Sequence, residues 1–172
     1  MTIAIRPCTP DDAPRLSLIA RATFLATYAH MVAGADILAH CAEKLSASAF
    51  AAWFDEPAVR LWLAEAPLGA PVGYVALCAP DLPVALQSGD LELRRIYVLQ
   101  GMHGSGAGDA LMNAALEYAR VVGAPRVLLG VNRENHRALA FYAKHRFTQV
   151  GTRQFKVGAS LYDDFVLARV LG

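Results

Sequence analysis

The chain has 172 residues, which at about 150 residues per domain predicts one domain spanning 1–172. Sixteen Lys and Arg against fifteen Asp and Glu leave a formal charge of +1, with 55% hydrophobic residues; this excludes the strongly positive surface of a nucleic-acid-coating protein and an acidic disordered chain. Mean hydropathy is +0.32, but the longest charge-free stretch, Ala66 to Pro80, is broken by Pro67 and Pro71 and falls short of the about 20 residues of a spanning helix, so neither nucleic acid nor membrane is expected as a partner.

The N-terminal Met1-Thr2-Ile3-Ala4-Ile5-Arg6-Pro7 has no basic segment followed by an apolar core, so no signal peptide is expected there; Thr2 to Arg6 reads as a short strand. Cys8, Cys41 and Cys78 are odd in number and widely spaced, fitting reduced thiols of a cytoplasmic protein rather than a disulfide framework or a zinc site. Thr9-Pro10-Asp11-Asp12 reads as a helix start, with Thr9 as cap, Pro10 at the first helical position and two acids in the first turn. That helix is predicted to run to about Tyr28, with Leu16, Ile19, Ala20 and Phe24 on one face. After a break at Gly34, two shorter helices are predicted near Asp36 to Leu45 and Ser48 to Phe54, where a substrate-covering flap would sit. Val59 to Ala64 and Val72 to Cys78 read as a hairpin around the Pro67, Gly69, Pro71 turn.

A loop from Ala79 to Gly89 leads to a strand, Leu91 to Val98. A glycine cluster follows, then a helix to about Val122, a turn at Gly123-Ala124-Pro125 and an apolar strand, Arg126 to Val131. The helix pattern places Leu111, Ala114, Ala115, Tyr118 and Val122 on its apolar face, with Asp109, Glu117 and Arg120 toward water. A second helix, Asn135 to Lys144, and two strands, Thr148 to Val157 and Asp164 to Val170, complete the chain. The order is that of a mixed α/β (α+β) domain with a central β-α-β crossover.

The stretch Val98-Leu99-Gln100-Gly101-Met102-His103-Gly104-Ser105-Gly106-Ala107-Gly108 joins a strand directly to a helix. Glycines at 104, 106 and 108 let backbone N–H groups turn toward a ligand, and the helix start adds unpaired N–H groups and the positive end of its dipole. Such a loop suits a phosphate or pyrophosphate, although glycines alone also fit a simple tight turn. A Walker loop is excluded, because Gly106-Ala107-Gly108 supplies neither Lys nor a hydroxyl. A dinucleotide fingerprint fails at Asp109, where its third glycine would stand, and at Val131-Asn132, which ends the next strand without an acid. Ser105 as an esterase nucleophile fails because His103 and Ala107 occupy the flanking glycine positions.

On the later helix, Asn135, Ala138 and Tyr142 are spaced i, i+3, i+7 and share one face. An amide, a small gap and a phenol make an odd core but a sensible groove wall. With this second motif the chain resembles the GNAT N-acetyltransferase superfamily. His103-Gly104-Ser105-Gly106-Ala107-Gly108 is similar to its acetyl-CoA motif Gln/Arg-x-x-Gly-x-Gly/Ala, and Asn135 to Tyr142 to its Asn-x-x-Ala-x-x-Phe-Tyr motif. Leu91 to Val98, Phe155-Lys156-Val157-Gly158 and the Asp164-Phe165-Val166-Leu167 ending further resemble the PaiA-like spermidine/spermine acetyltransferases.

The resemblance implies a mostly antiparallel central sheet with flanking helices, acetyl-CoA as co-substrate, and transfer of the acetyl group to an amine by direct attack in a ternary complex. It implies that backbone groups of Ile96, Tyr97 and Val98 hold the pantetheine arm, that His103 to Gly108 hold the pyrophosphate, and that Tyr142 protonates the departing thiolate. Asn135, Ala138 and Lys144 are further cofactor-contact candidates, Asn135 equally suiting an N-cap and Lys144 a solvated helix end. Strand alternation is expected to place Glu92 on the same face as Ile96 and Val98, where apolar neighbours would tune it as a general base; it equally fits a solvated or Arg94-neighboured surface carboxylate, with His30, His40 or bulk water as the alternative base.

Two residues depart from the family pattern. His103 replaces the usual Arg or Gln, so a binding role for its charge would make affinity pH-dependent. Arg146 replaces the glycine that usually ends the second helix, which is therefore expected to end without a left-handed cap. A polyamine acceptor would favour an acidic pocket, with Asp36, Glu43, Asp81 and Glu92 as contributors. Acceptors of other kinds (another small amine, a peptide or protein amine) and a non-catalytic acyl-CoA-binding module are the alternative readings. The five histidines show no ligand spacing, so no metal is expected; a homodimer is compatible with the terminal strands.

Overall fold

The computed structural model describes residues 2–172. Seven strands form one sheet: β1 (Ala4–Pro7), β2 (Arg60–Glu65), β3 (Pro71–Cys78), β4 (Leu91–Val98), β5 (Arg126–Asn132), β6 (Thr148–Val157) and β7 (Ser160–Val170). Their spatial order is β1-β2-β3-β4-β5-β7-β6, antiparallel throughout except for the β4–β5 pair. That parallel pair requires a crossover, supplied by α4 (Ala107–Val121). The other helices are α1 (Ala13–Tyr28), α2 (Gly34–Lys44), α3 (Ala47–Trp53) and α5 (His136–Lys144). The expected mixed, mostly antiparallel architecture with a central β-α-β unit is what the chain adopts. No helix among the described residues is long and apolar enough to cross a membrane.

Both sheet faces are covered, which explains why β3 reads as an unbroken apolar run rather than an alternation. Val75 and Leu77 join Leu111, Leu116, Val127 and Leu129 beneath α4. Tyr74 and Ala76 point the other way, into a cluster with Leu16, Phe50 and Leu63 beneath α1 and α3. Each fully buried Leu or Val removes enough surface from water to contribute about 1.5–3 kcal/mol.

Three helix details differ from the sequence reading. Pro10–Asp12 forms a 3-10 turn ahead of α1, because Asp12 turns inward to accept from Thr9 N–H at 2.9 Å and from both terminal nitrogens of Arg6 at 2.8 Å. The buried stripe of α4 is Leu111, Met112, Ala115, Leu116 and Ala119, while Val122 is exposed; the helix lies rolled toward β2 and β3. The end of α5 contradicts the expected loss of its left-handed cap. Arg146 takes φ +62, its N–H reaches Ala143 O at 2.9 Å and Phe147 N–H reaches Tyr142 O at 3.0 Å. These are the two bonds of a Schellman closure, completed by packing of the Phe147 and Tyr142 rings with centroids 5.8 Å apart.

Candidate active site

The parallel strands β4 and β5 pair only at Leu91↔Val127 and Glu92↔Leu128. From Leu93 onward they diverge and leave a slot open toward the C-terminal ends of both. Leu99 N–H donates to Val72 O at 2.9 Å on the β3 side, so alternation turns the N–H and C=O groups of Ile96 and Val98 into the slot. The Val98 carbonyl accepts from His103 Nε2 at 3.0 Å. Tyr97 pairs with Tyr74 of β3 and sends its ring to the α1 side of the sheet.

Above the slot, Gln100–Met102 form a 3-10 turn, and Gly104 and Gly106 adopt φ +81 and +86 with open space where a Cβ would stand. Among the described residues, the N–H groups of Gly104, Gly106, Gly108 and Asp109 find no partner. The Ala107 N–H is taken by Ser105 Oγ at 3.3 Å, one residue ahead of the N-cap Gly106; neither Ser105 nor Ala107 lines the slot. Unpaired donors at a helix N-terminus attract a phosphate group, so the loop suits a phosphate or pyrophosphate. His103 carries no helpful charge at neutral pH: burial and nearby Arg137 lower its pKa, against the opposing pull of the Val98 carbonyl.

The α5 stripe forms the facing wall. Asn135 Oδ1 accepts from Ala138 N–H at 3.1 Å, so its carbonyl caps the helix and only its NH2 group remains for a ligand. Ala138 and Tyr142 line the slot beside it. Tyr142 is 8% exposed, and burial, reinforced by Tyr97, raises its pKa well above the usual phenol range. It is therefore a phenol with a proton to give at neutral pH. Lys144 Nζ is held by both oxygens of Asp109 at 2.9 and 2.8 Å, at the mouth of the same slot.

Glu92 is placed differently from the sequence expectation. Arg94 is an extra residue in β4: Ala76 pairs with Arg95, while Leu77 pairs with Leu93. This bulge shifts the phase of the strand. Leu91 and Leu93 share the α4 side with Ile96 and Val98, so Glu92 points to the opposite, α1 side. It is 2% exposed and tied by Arg94 Nη2 at 2.9 Å, Arg94 Nε at 3.3 Å and Asp81 N–H at 2.9 Å. Of the other proposed acids, Asp36 lies outside the cavity, where it accepts from Ala159 N–H at 3.0 Å and Ser160 Oγ at 2.9 Å, clamping α2 to the β6–β7 turn; Glu43 and Asp81 line the cavity.

Slot and α1-side chamber form one cavity of about 1420 Å³, more than the about 300–1,000 Å³ of a single small-ligand pocket. There is room for a long ligand in the slot and a second molecule meeting it from the α1 side, under α2 and α3. His40 stacks on Phe24 with centroids 4.4 Å apart and lines this chamber with His30. Among the described residues, no cluster of three or more His, Cys, Asp or Glu could hold a metal ion. Tyr28, Arg153 and Asp164, to which the sequence assigned no site role, also line the chamber; the one local signal was Gly130, an isolated glycine inside an apolar strand.

Residues 30–147 match the acetyltransferase (GNAT) family model. An uncharacterised N-acetyltransferase of Mycobacterium bovis is 39% identical over 160 residues, covering 93% of this chain and 98% of the relative, and one of Mycobacterium tuberculosis matches to the same extent. The fold is similar to that of the PaiA N-acetyltransferase of Thermoplasma acidophilum crystallised with coenzyme A, with a TM-score of 0.81 at 21% identity, covering 99% of this chain and 100% of that one. On the family model and the curated relatives together, the chain belongs to the acetyltransferase (GNAT) family.

Proposed function

We propose that the protein acetylates a small primary amine, a polyamine being one member of that class, by direct attack of the amine on acetyl-CoA with both substrates bound. The observation that carries this reading is the splay of β4 from β5, which leaves slot-facing backbone groups at Ile96 and Val98 continuous with the unpaired N–H groups of the glycine loop. Acetyl-CoA supplies a thioester carbonyl open to a nucleophile. The loop from His103 to Gly108 binds its pyrophosphate, Ile96 and Val98 orient the pantetheine arm, and Asn135 and Ala138 border it. Lys144 stands at the slot mouth as a contact for phosphate charge, in exchange with Asp109.

In this reading Tyr142 is the proton donor to the thiolate: burial keeps the phenol protonated at neutral pH but makes it a weaker acid, so transfer relies on the same burial raising the basicity of the thiolate formed beside it. Glu92 serves as base through a water, since Arg94 and Asp81 already occupy both its oxygens. The chamber's size favours a small acceptor over a folded protein, whose amine would have to pass beneath α2 and α3. Thiol release from acetyl-CoA across a panel of mono-, di- and polyamines tests the assignment. Amine-dependent release is expected; turnover only with a peptide N-terminus or lysine peptide would replace the small-amine reading.

A further inference from the structure

Asp164 on β7 is 4% exposed. Its Oδ2 accepts from Arg153 Nε and Nη2, each at 3.1 Å. Its Oδ1 is the one buried side-chain oxygen or nitrogen among the described residues that has no hydrogen-bond partner. A buried carboxylate oxygen without a donor is costly, because it has lost water and gained nothing in return. The arrangement is nevertheless built. Arg153 reaches Asp164 by lying across Gly130 of β5, where a Cβ would come within 2.3 Å of the guanidinium; any other residue at 130 would push it away. Gly130, Arg153 and Asp164 all border the chamber on the α1 side of the sheet, opposite the face covered by α4 and α5.

The groups facing Asp164 are Arg153 from β6, Tyr97 from β4 and Tyr28 from α1, the two phenols having their oxygens 3.5 Å apart and close enough to feel its charge. Burial raises the Asp164 pKa and Arg153 opposes that rise. Arg153 leaves half the carboxylate unclaimed, and bulk water does not reach that half. Asp164 borders the chamber, so a donor bound there is the group best placed to approach that oxygen.

We propose that Asp164 Oδ1 accepts a hydrogen bond from the amino group of the acceptor, with Arg153, seated over Gly130, fixing the carboxylate in place. This rests on the acetyltransferase reading and adds to it the acceptor's docking point: a primary alkyl amine whose N–H is held on the α1 side while the slot holds the thioester. Arg153 is a positioning residue, since it acts through Asp164.

The test uses the full chain with the best amine from the thiol-release panel. Asp164→Asn is expected to raise the KM for that amine about tenfold or more, as loss of a charge-assisted hydrogen bond does, with acetyl-CoA KM and calorimetric coenzyme A affinity within about twofold. Asp163→Asn, a half-exposed neighbour paired with Arg133, is expected to change neither. In the wild-type enzyme, the isostere carrying a methyl in place of the amino group is expected to compete at least about tenfold more weakly than the amine binds. An amine KM within twofold of wild type in Asp164→Asn, or an equal loss of coenzyme A affinity, overturns the inference while leaving the activity intact. Equal binding of the methyl isostere does so even where Asp164→Asn fails to fold. A wild-type protein that turns over no amine overturns the acetyltransferase reading, and this inference with it.

Discussion

Replacing Arg146 by glycine should stabilise the protein. An L-residue in the left-handed region costs about 1–2 kcal/mol because its Cβ crowds the following carbonyl; Arg146 sits there at φ +62. Glycine removes that crowding, but its freer unfolded chain returns about 0.5–1 kcal/mol. Arg146 is exposed, its side chain makes no hydrogen bond among the described residues, and its charge bears on Arg169, whose pKa is lowered by burial, Arg120 and Arg146. The net expectation is a gain of about 0.5–1 kcal/mol, which at about 2–4 °C per kcal/mol for a chain of this size raises Tm by about 1–4 °C.

Thermal unfolding followed by circular dichroism reads this directly. Arg146→Ala is the control: it removes the charge but keeps the strained dihedral, so its Tm should stay within about 1 °C of the parent. An Arg146→Gly protein no more stable than the parent would refute the strain argument, and an equal gain in Arg146→Ala would assign the effect to charge repulsion. The site should follow, because the Schellman bonds anchor Phe147 against Tyr142.

Other substitutions probe the chemistry. Tyr142→Phe is expected to lower kcat by about 10²-fold, the lower end for a lost general acid, with coenzyme A affinity nearly unchanged because the hydroxyl makes no bond within the described protein; full kcat in steady-state assays would remove the phenol from proton transfer. Gly106→Ala forces a Cβ into φ +86 at the start of α4 and should weaken coenzyme A binding about tenfold by calorimetry, through misdirected amide donors; unchanged affinity would show that those donors do not carry the pyrophosphate. His40 has its pKa lowered to about 4, chiefly by burial and then by Arg95 and Lys44, against about 6.5 in the unfolded chain. Between those values the unfolded chain binds the extra proton, so stability should fall as pH drops from about 6.5 toward 4. Denaturant midpoints of His40→Gln should fall less over that window; parallel curves would show that His40 is not the group responsible.

The local elements were legible because their determinants are local. The period of Leu16, Ile19 and Phe24, the Pro-Gly turn between β2 and β3 and the glycine run before α4 each act within a few residues, and the α5 stripe follows from helical spacing alone. What the tertiary structure decided depends on partners far along the chain. The β4 bulge at Arg94 is set by pairing with β3, so alternation counted along β4 sends Glu92 to the wrong face. The αL turn at Arg146 is imposed by closure of α5 onto Phe147, at a residue whose own preference is against it. The Arg153–Asp164 pair joins neighbouring strands across a glycine of a third, and the slot exists because β4 and β5 stay paired for only two residue pairs. Local sequence carries turn chemistry and periodicity; strand phase, forced dihedrals and cross-strand charge pairs emerge only when the sheet is assembled.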